Sequence, residues 1–371
     1  MRLRLLLPIL TLIGLFAGTN AGAQLLYAGG EDIDFLCNGG GSCAASFGPT
    51  YRTGWARTSY MAIGSTADPA TNRFSTPTFS PSSTIWVHGQ FCTTQTISTG
   101  YGCGTVGTGS TANAQMLRII DSSGNPTLIV RGTGTSQQVK ISSRTAAGVF
   151  TDLVTCSLAF NLALTQLDLY VNYGSSGEVT LYNNSVQVCD YTGNVTNGDG
   201  ATTLNQVEFA GPLSGVYSAW SEVIVAGSDS RAMARFTANT VANGNTTGFS
   251  GTNVCSAIWN PISFNDANYG FSGSTNVTHE CTINTAFPAG NYNVLGLVMS
   301  ARVLVGSSGP LHFDFVTRTG GTDYTSSDFA PTATFSNIGN YIQTTNPATS
   351  SAWGVSDFTA AGFNVGEKTK P

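Results

Sequence analysis

The chain has 371 residues, of which 41% are hydrophobic and only 9% are charged, and its formal net charge is −5. This acidic balance argues against a nucleic-acid partner, which normally needs a basic patch, and against electrostatic docking on anionic lipid. Hydrophobic and aromatic residues recur along the whole chain, which disfavours an intrinsically disordered protein.

The first segment in chain order, residues 1–23, is a predicted secretion signal. Two arginines precede an uncharged, mostly apolar run over 5–17, and Ala21-Gly22-Ala23 suits a signal peptidase. The apolar run is shorter than the roughly 20 residues that a membrane-spanning helix needs. We therefore expect export to the extracellular space or the periplasm, a mature chain that begins at Gln24, and no transmembrane segment.

Eight cysteines follow the predicted signal. An even number of cysteines in an exported chain indicates disulfides, and the spacing favours pairing in sequence order. The expected pairs are Cys37–Cys43, Cys92–Cys103, Cys156–Cys189 and Cys255–Cys281. A metal–thiolate site is the alternative. The chain has no C-x-x-C motif and only three histidines, so the pattern favours disulfides over metal binding.

The residue types predict strands and turns. Lys-, Glu- and Ala-rich stretches of the kind that cover long helices are missing. Short β-branched and aromatic runs instead alternate with Gly, Asn, Ser and Pro. In the first half the predicted strands are 86–91, 116–120, 127–131, 167–173, 178–182, 185–189, 206–209 and 221–226. Two of these runs flank a turn at 121–126 and form a predicted hairpin. Such regular spacing indicates a β-sandwich.

The length of the chain suggests two domains. The polar, strand-poor start of segment 227–243 marks the boundary, which we place between domains 24–235 and 236–371. The second half contains predicted strands at 292–299, 301–305 and 311–316, and one short helix is expected within 346–363. The predicted fold class is therefore all-β, with two jelly-roll-like β-sandwich domains after the signal peptide.

Three segments of the first half carry a family resemblance. They are 86–91, 168–189 and 217–226, the last followed by 229–233. They resemble an early strand, the central ladder and the closing strand of the laminin-G-like, concanavalin A-type lectin sandwich over residues 84–228. The resemblance implies a domain that binds a glycan or another cell-surface ligand.

The second half resembles a β domain of tailed-phage and prophage structural proteins. The matching residues are 318–324, 341–342, 346–349, Trp353 and 363–366. In that family the domain is a particle-surface or tail-associated module, so the resemblance implies a role in assembly or attachment. Phage virion proteins usually lack a secretion signal and are not rich in cysteine, and this chain departs from them in both respects.

The best candidate for catalysis is the segment Glu-Asp-Ile-Asp at 31–34. Concanavalin-type sandwiches include retaining glucanases, whose two carboxylates lie about 5 Å apart on one strand face. Here an isoleucine replaces the acid that should share a face with Glu31, and Phe35 replaces the third acid of that signature. We therefore predict no catalytic residue, with a polysaccharide hydrolase or lyase as the alternative. His88 and His312 lie in strand patterns and are predicted to be hydrogen-bonded structural residues.

The lectin resemblance also implies a calcium ion at a loop rim, held by Asp and Asn oxygens. The candidate ligands are Asp32, Asp34, Asp121, Asn125 and Asp199. Aromatic side chains in such loops stack on sugars. The candidates for sugar contact are Tyr51, Trp55 and Tyr101.

These observations predict a secreted, disulfide-linked protein without enzymatic activity that recognises carbohydrate or a cell surface through its first domain. Two other functions stay open: a structural or fibre component of virion type, and a polysaccharide-degrading enzyme. The sequence leaves the ligand, homo-oligomerisation and the choice between a cellular and a virion-associated protein open.

Overall fold

The structure is a computed structural model. It describes residues 13–16, 24–30, 34–38, 44–47, 59–63, 73–94, 112–135, 137–158, 165–210, 217–251, 254–257, 269–284, 286–287, 290 and 292–371. Strands dominate these residues, which confirms the all-β prediction. The chain divides into two compact units, here called the larger unit (mainly Thr58–Met233) and the smaller unit (mainly Ala234–Pro371).

The elements are given in chain order. The first strands are β1 (Ile13–Phe16), β2 (Leu25–Gly29), β3 (Leu36–Asn38), β4 (Ala44–Phe47), β5 (Ser59–Ile63), β6 (Arg73–Ser75), β7 (Thr84–Thr94), β8 (Gln115–Asp121), β9 (Pro126–Gly132), β10 (Gln138–Arg144), β11 (Phe150–Ser157), β12 (Thr165–Asn172), β13 (Gly177–Asn183), β14 (Val186–Gly193), β15 (Leu204–Phe209) and β16 (Tyr217–Ala226).

The second series follows Ala226. It comprises β17 (Met233–Phe236), β18 (Thr240–Thr247), α1 (Val254–Ala257), β19 (Thr278–Ile283), β20 (Asn293–Val303), β21 (His312–Thr319), β22 (Thr322–Thr325), β23 (Ser336–Gln343), β24 (Thr345–Asn346), β25 (Ser351–Ala352), α2 (Val355–Thr359) and β26 (Asn364–Lys370).

The larger unit is a sandwich of two antiparallel sheets. A seven-stranded sheet has the order β11-β10-β9-β8-β15-β6-β3, and an eight-stranded sheet has the order β14-β13-β12-β7-β16-β5-β4 with β2 also paired to β16. Alternate residues of both sheets meet in one core, among them Val87, Ile119, Val130 and Leu169. Each such side chain stabilises the fold by roughly 1.5–3 kcal/mol relative to an exposed position.

Two predicted disulfides are confirmed. Cys156–Cys189 links β11 to β14, the edge strands of the two sheets of the larger unit, with the Cα atoms 5.2 Å apart. Cys255–Cys281 links α1 to β19 in the smaller unit. Cys92 is also disulfide-bonded. The predicted pairs Cys37–Cys43 and Cys92–Cys103 each include a residue outside the described part of the chain.

The smaller unit has its own sheets and core. A five-stranded sheet has the order β18-β19-β26-β21-β22, and a four-stranded sheet has the order β17-β1-β20-β23. The apolar residues of the unit form one cluster that includes Leu297, Phe315 and Trp353. The expected short helix is α2, where the Gly354 N–H donates to Asp357 Oδ2 at 2.8 Å and Phe358 is buried.

Residues that carry the resemblance to phage proteins build turns and core in this unit. Gly320 and Gly321 have φ of +58° and +82° and form the turn between β21 and β22, a backbone region that suits glycine. Asn346 Oδ1 accepts the Ala348 N–H at 2.9 Å, which shapes a second turn. The Trp353 indole donates to the Gln343 carbonyl at 2.8 Å.

Strand β1 lies within the predicted signal peptide. It pairs antiparallel with β20, with Leu15 opposite Val294. A chain cut after Ala23 would not carry this strand, so β1 and the predicted cleavage exclude each other in a mature protein. Within the described ranges, no helix has the length and apolarity to cross a membrane.

Candidate functional site

The outer face of the eight-stranded sheet brings together side chains that are far apart in the sequence. Strand β7 pairs with β12 so that Trp86 lies opposite Tyr170 and His88 opposite Asp168. Strand β13 then places Tyr182 opposite Asp168. Because side chains alternate along a strand, these residues point away from the core, whereas the intervening Val87 and Leu169 point into it.

Three of these side chains and one arginine form a continuous group, which we call the aromatic strip: Trp86, Tyr170, Tyr182 and Arg231. The Trp86 ring centroid lies 4.9 Å from that of Tyr170 and 5.6 Å from that of Tyr182. The Arg231 guanidinium carbon lies 4.5 Å from the Tyr182 centroid and 5.5 Å from the Trp86 centroid. All four side chains are partly exposed. Such a group offers apolar ring faces bordered by polar atoms.

Arg231 is held in place by Asp229. Its Nε lies 2.9 Å from Asp229 Oδ1 and 3.0 Å from Oδ2, and its Nη2 donates to Oδ2 at 2.5 Å. Burial alone would raise the pKa of Asp229, but the hydrogen bonds from Arg231 hold it below its ordinary value. The same contacts raise the pKa of Arg231. The guanidinium charge is therefore matched by a carboxylate within its own loop.

Asp168 anchors this loop to the sheet. Its Oδ1 accepts hydrogen bonds from His88 Nδ1 at 2.8 Å and from Ser230 Oγ at 2.7 Å. Its Oδ2 accepts one from Gln166 Nε2 at 2.8 Å, and that amide also donates to the Arg231 carbonyl at 2.8 Å. Burial would raise the pKa of Asp168, but His88 and these donors lower it. We call this buried group the Asp168 hub.

The Asp168 hub contains the three residue types of a catalytic triad but not its geometry. In a triad the imidazole bonds the serine hydroxyl, whereas here both His88 and the Ser230 hydroxyl bond the same carboxylate oxygen. His88 is fully buried, and no described residue is a partner for its Nε2. The arrangement fixes positions and does not activate a nucleophile. It agrees with the prediction of a hydrogen-bonded structural histidine at position 88.

Asp121 and Asn125, two of the predicted calcium ligands, lie in the turn between β8 and β9. Asp121 Oδ1 accepts the N–H groups of Ser123 and Asn125, both at 2.8 Å. The Asn125 side chain donates to Asp121 Oδ2 at 3.4 Å. These bonds are those of an aspartate that stabilises its own turn.

Asp199 and Asp34 also make local contacts. Asp199 Oδ2 accepts the Tyr173 hydroxyl at 2.6 Å, and its Oδ1 accepts the Ala201 N–H at 2.9 Å. Burial, Asp199 and the nearby Asp121 raise the pKa of Tyr173. Asp34 is buried and accepts the Gly30 N–H at 2.9 Å.

Several predicted site residues lie outside the described part of the chain: Glu31, Asp32, Tyr51, Trp55 and Tyr101. The calcium site and the loop aromatics therefore stay predictions.

One group of three potential metal ligands occurs among the described residues: Cys255, His279 and Cys281. The two sulfurs form the disulfide. His279 Nδ1 accepts the Phe249 N–H at 3.2 Å, so Nε2, which lies 3.4 Å from Cys255 Sγ, carries the hydrogen of the neutral ring. Burial lowers the pKa of His279 to about 4, which keeps the ring neutral. A protonated Nε2 facing a disulfide sulfur is not arranged as a metal ligand.

The aromatic strip was not predicted from the sequence. Its signal is present, because Trp86, Tyr170 and Tyr182 each occupy the outward position of a strand with period-two alternation. The pattern shows that each residue faces outward but does not show that the three strands are neighbours. Arg231 follows β16 in a loop, and its contacts with Asp229 and the hydrogen bonds of the Asp168 hub place it on the strip.

No family model and no curated protein matches the chain. Solved structures that resemble it include an endo-β-1,4-glucuronan lyase from the fungus Trichoderma reesei, with 12% identity, a TM-score of 0.36, and coverage of 58% of this chain and 98% of that chain. The receptor binding domain of botulinum neurotoxin type G has 8% identity, a TM-score of 0.37, and coverage of 83% and 74%. The globular domain of T. cruzi calreticulin has 9% identity, a TM-score of 0.35, and coverage of 55% and 88%. Likeness at this level carries no conclusion on function, and the resemblances to laminin-G-like and phage domains stay predictions.

Proposed function

We propose that this protein is a secreted carbohydrate-binding protein and that the aromatic strip is its binding site. The observation that supports this proposal is the set of three adjacent, partly exposed aromatic rings on one sheet face. Sugar rings expose apolar C–H faces that bury against aromatic rings, while their hydroxyl groups need hydrogen-bond partners. Amide, hydroxyl and carboxylate side chains border the strip on the same face, among them Thr84, Asn172 and Glu178.

The Asp168 hub favours binding because it holds the strip in one arrangement before a ligand arrives. Trp86 and Tyr170 lie on paired strands, and Arg231 is fixed through Ser230 and Gln166. A rigid site loses little conformational entropy when it binds.

The strip itself needs no metal ion. A calcium ion at the loop rim is a separate proposal, which predicts that EDTA weakens binding.

For the smaller unit we propose assembly or attachment, as its resemblance to phage proteins implies.

An alternative for the larger unit is a polysaccharide lyase or hydrolase. His88 follows Trp86 by two residues on β7 and lies on the same face, so it is the imidazole to consider for catalysis. It is fully buried beside Asp168. The geometry therefore favours binding over turnover.

Affinity gel electrophoresis and a glycan array with the full chain, each with and without EDTA, test the proposal. We expect saturable binding to at least one polysaccharide, and Tyr170→Ala should weaken it by roughly 10- to 100-fold because exposed aromatic anchors dominate such sites. Tyr324→Ala removes a partly exposed tyrosine of β22 and is the matched control. Absence of binding to every glycan, or equal loss in both variants, would overturn the proposal. Release of new reducing or unsaturated ends would assign the site to an enzyme.

A further inference from the structure

We propose that the aromatic strip selects uncharged polysaccharides and rejects polyuronates and sulfated glycans, because its cation is already neutralised. This inference rests on the proposed function of the strip. It concerns the charge of the ligand, because aromatic rings alone do not discriminate between neutral and charged sugars.

Arg231 is the basic residue of the strip, and the Nε–Nη2 edge of its guanidinium is occupied by Asp229. Its Nε and Nη2 both face the Asp229 carboxylate at 2.5–3.0 Å. Its flat face lies over Tyr182. A guanidinium binds a carboxylate or sulfate by two parallel N–H donors from one edge. An anionic sugar that used this edge would have to displace Asp229, and at any other edge it would meet a guanidinium whose charge Asp229 already neutralises.

The other described basic side chains of the larger unit lie on the seven-stranded sheet. They are Arg73, Arg118, Arg131, Lys140 and Arg144. Arg73 and Arg118 both bind Glu208 through Nε, at 2.8 and 3.0 Å. Arg131 and Lys140 both bind Asp152, at 2.7 and 2.9 Å. Among the described residues of the larger unit, Arg231 is the one arginine or lysine that lies outside the seven-stranded sheet.

Carboxylates surround the strip instead. Asp168 stays ionised beneath it, since its donors lower its pKa. Glu178 lies close enough to Tyr170 that it raises the pKa of that phenol, after the larger effect of burial. Asp229 adds a third carboxylate, balanced by Arg231. The electrostatic potential at the strip is therefore neutral to negative. Repulsion between like charges disfavours the binding of an anionic glycan there.

The structure offers a gain-of-function test. Asp229→Asn removes the carboxylate that neutralises Arg231 and leaves the guanidinium on the strip. We expect wild-type protein to be retarded in gels that contain a neutral polysaccharide such as laminarin, xylan or galactomannan, and not in gels that contain alginate or polygalacturonate. Asp229→Asn should bind alginate roughly three- to tenfold more tightly than wild type, with an affinity that falls as salt is added.

Asp328→Asn is the matched control, because it removes one exposed carboxylate of the smaller unit without touching Arg231. It should bind every polysaccharide as wild type does. Preferential binding of wild type to alginate or polygalacturonate would overturn this inference and leave carbohydrate binding intact. An equal gain in both variants would also overturn it, since net charge would then be responsible. Absence of binding to all the polysaccharides would overturn carbohydrate binding itself and this inference with it.

Discussion

We expect the substitution of Asp168 to lower the stability of the larger unit. One buried carboxylate accepts hydrogen bonds from His88, Ser230 and Gln166. Asp168→Ala removes the acceptor that His88 and Ser230 share, and the loss of one member of such a buried polar network costs about 3–5 kcal/mol. We expect the free energy of unfolding of the larger unit to fall by that amount in urea, followed by tryptophan fluorescence.

The control is Asp190→Ala, which removes an exposed carboxylate and should change stability by less than about 0.5 kcal/mol. A pH series gives a second criterion. Since the folded-state pKa of Asp168 is lowered, its contribution is present above the pKa of the unfolded chain and is lost as the pH falls through the folded value. If Asp168→Ala unfolds at the same urea concentration as wild type at pH 7, the hub does not anchor the loop.

Glu367 presents the opposite case, a buried carboxyl without a partner. It lies on β26 opposite His279 and Phe315, and none of the described residues donates to either of its oxygens. Burial raises its pKa well above 4.5. The folded chain therefore keeps a proton that the unfolded chain releases, and the stability due to this proton is full below pH 4.5. It falls by about 1.4 kcal/mol per pH unit until the folded pKa is reached.

Glu367→Gln should remove that slope above about pH 5, so the variant should gain stability relative to wild type as the pH rises. His279, whose pKa is lowered from 6.5 to about 4, gives a slope of opposite sign in both proteins. The difference between them isolates Glu367. Glu178→Gln, on an outer face of the larger unit, is the matched control. Parallel stability curves for Glu367→Gln and wild type would mean that the carboxyl finds a partner.

At the scale of elements, the local pattern was enough to predict strands and hairpins. The alternation over 167–173 predicted β12, and the turn at 121–126 lies between β8 and β9. Both depend on residues that are neighbours in the sequence. The order of strands in a sheet depends on long-range pairing instead. Nothing in 84–94 indicates that β7 lies between β12 and β16.

The candidate site was missed for the same reason. Trp86, Tyr170 and Tyr182 meet only because β12 pairs with both β7 and β13 in one register. A shift of one residue in either pairing would turn one ring into the core. The cysteines were predictable because their partners are the next cysteines along the chain, and two such pairs are confirmed. Sequence order carries that information, whereas it carries no information on register.

The whole molecule consists of two units with separate apolar cores, and each core has its own disulfide. One cluster consists of buried apolar residues that lie between Leu26 and Val225 in the sequence. The other consists of buried apolar residues between Phe236 and Val365. Cys156–Cys189 closes a span of 33 residues in the first unit, and Cys255–Cys281 closes one of 26 in the second. A chain with separate cores need not unfold in a single step. The removal of one disulfide should therefore destabilise the unit that contains it.

We expect two unfolding transitions in calorimetry or urea, each sensitive to one disulfide. The double variant Cys156→Ala/Cys189→Ala should lower the transition of the larger unit by about 3–4 kcal/mol, the value for closing a loop of this length, and leave the other in place. Cys255→Ala/Cys281→Ala should do the reverse. Trp220 reports on the larger core and Trp353 on the smaller, since both are buried. A single transition that both double variants shift equally would show that the two cores unfold as one cooperative body.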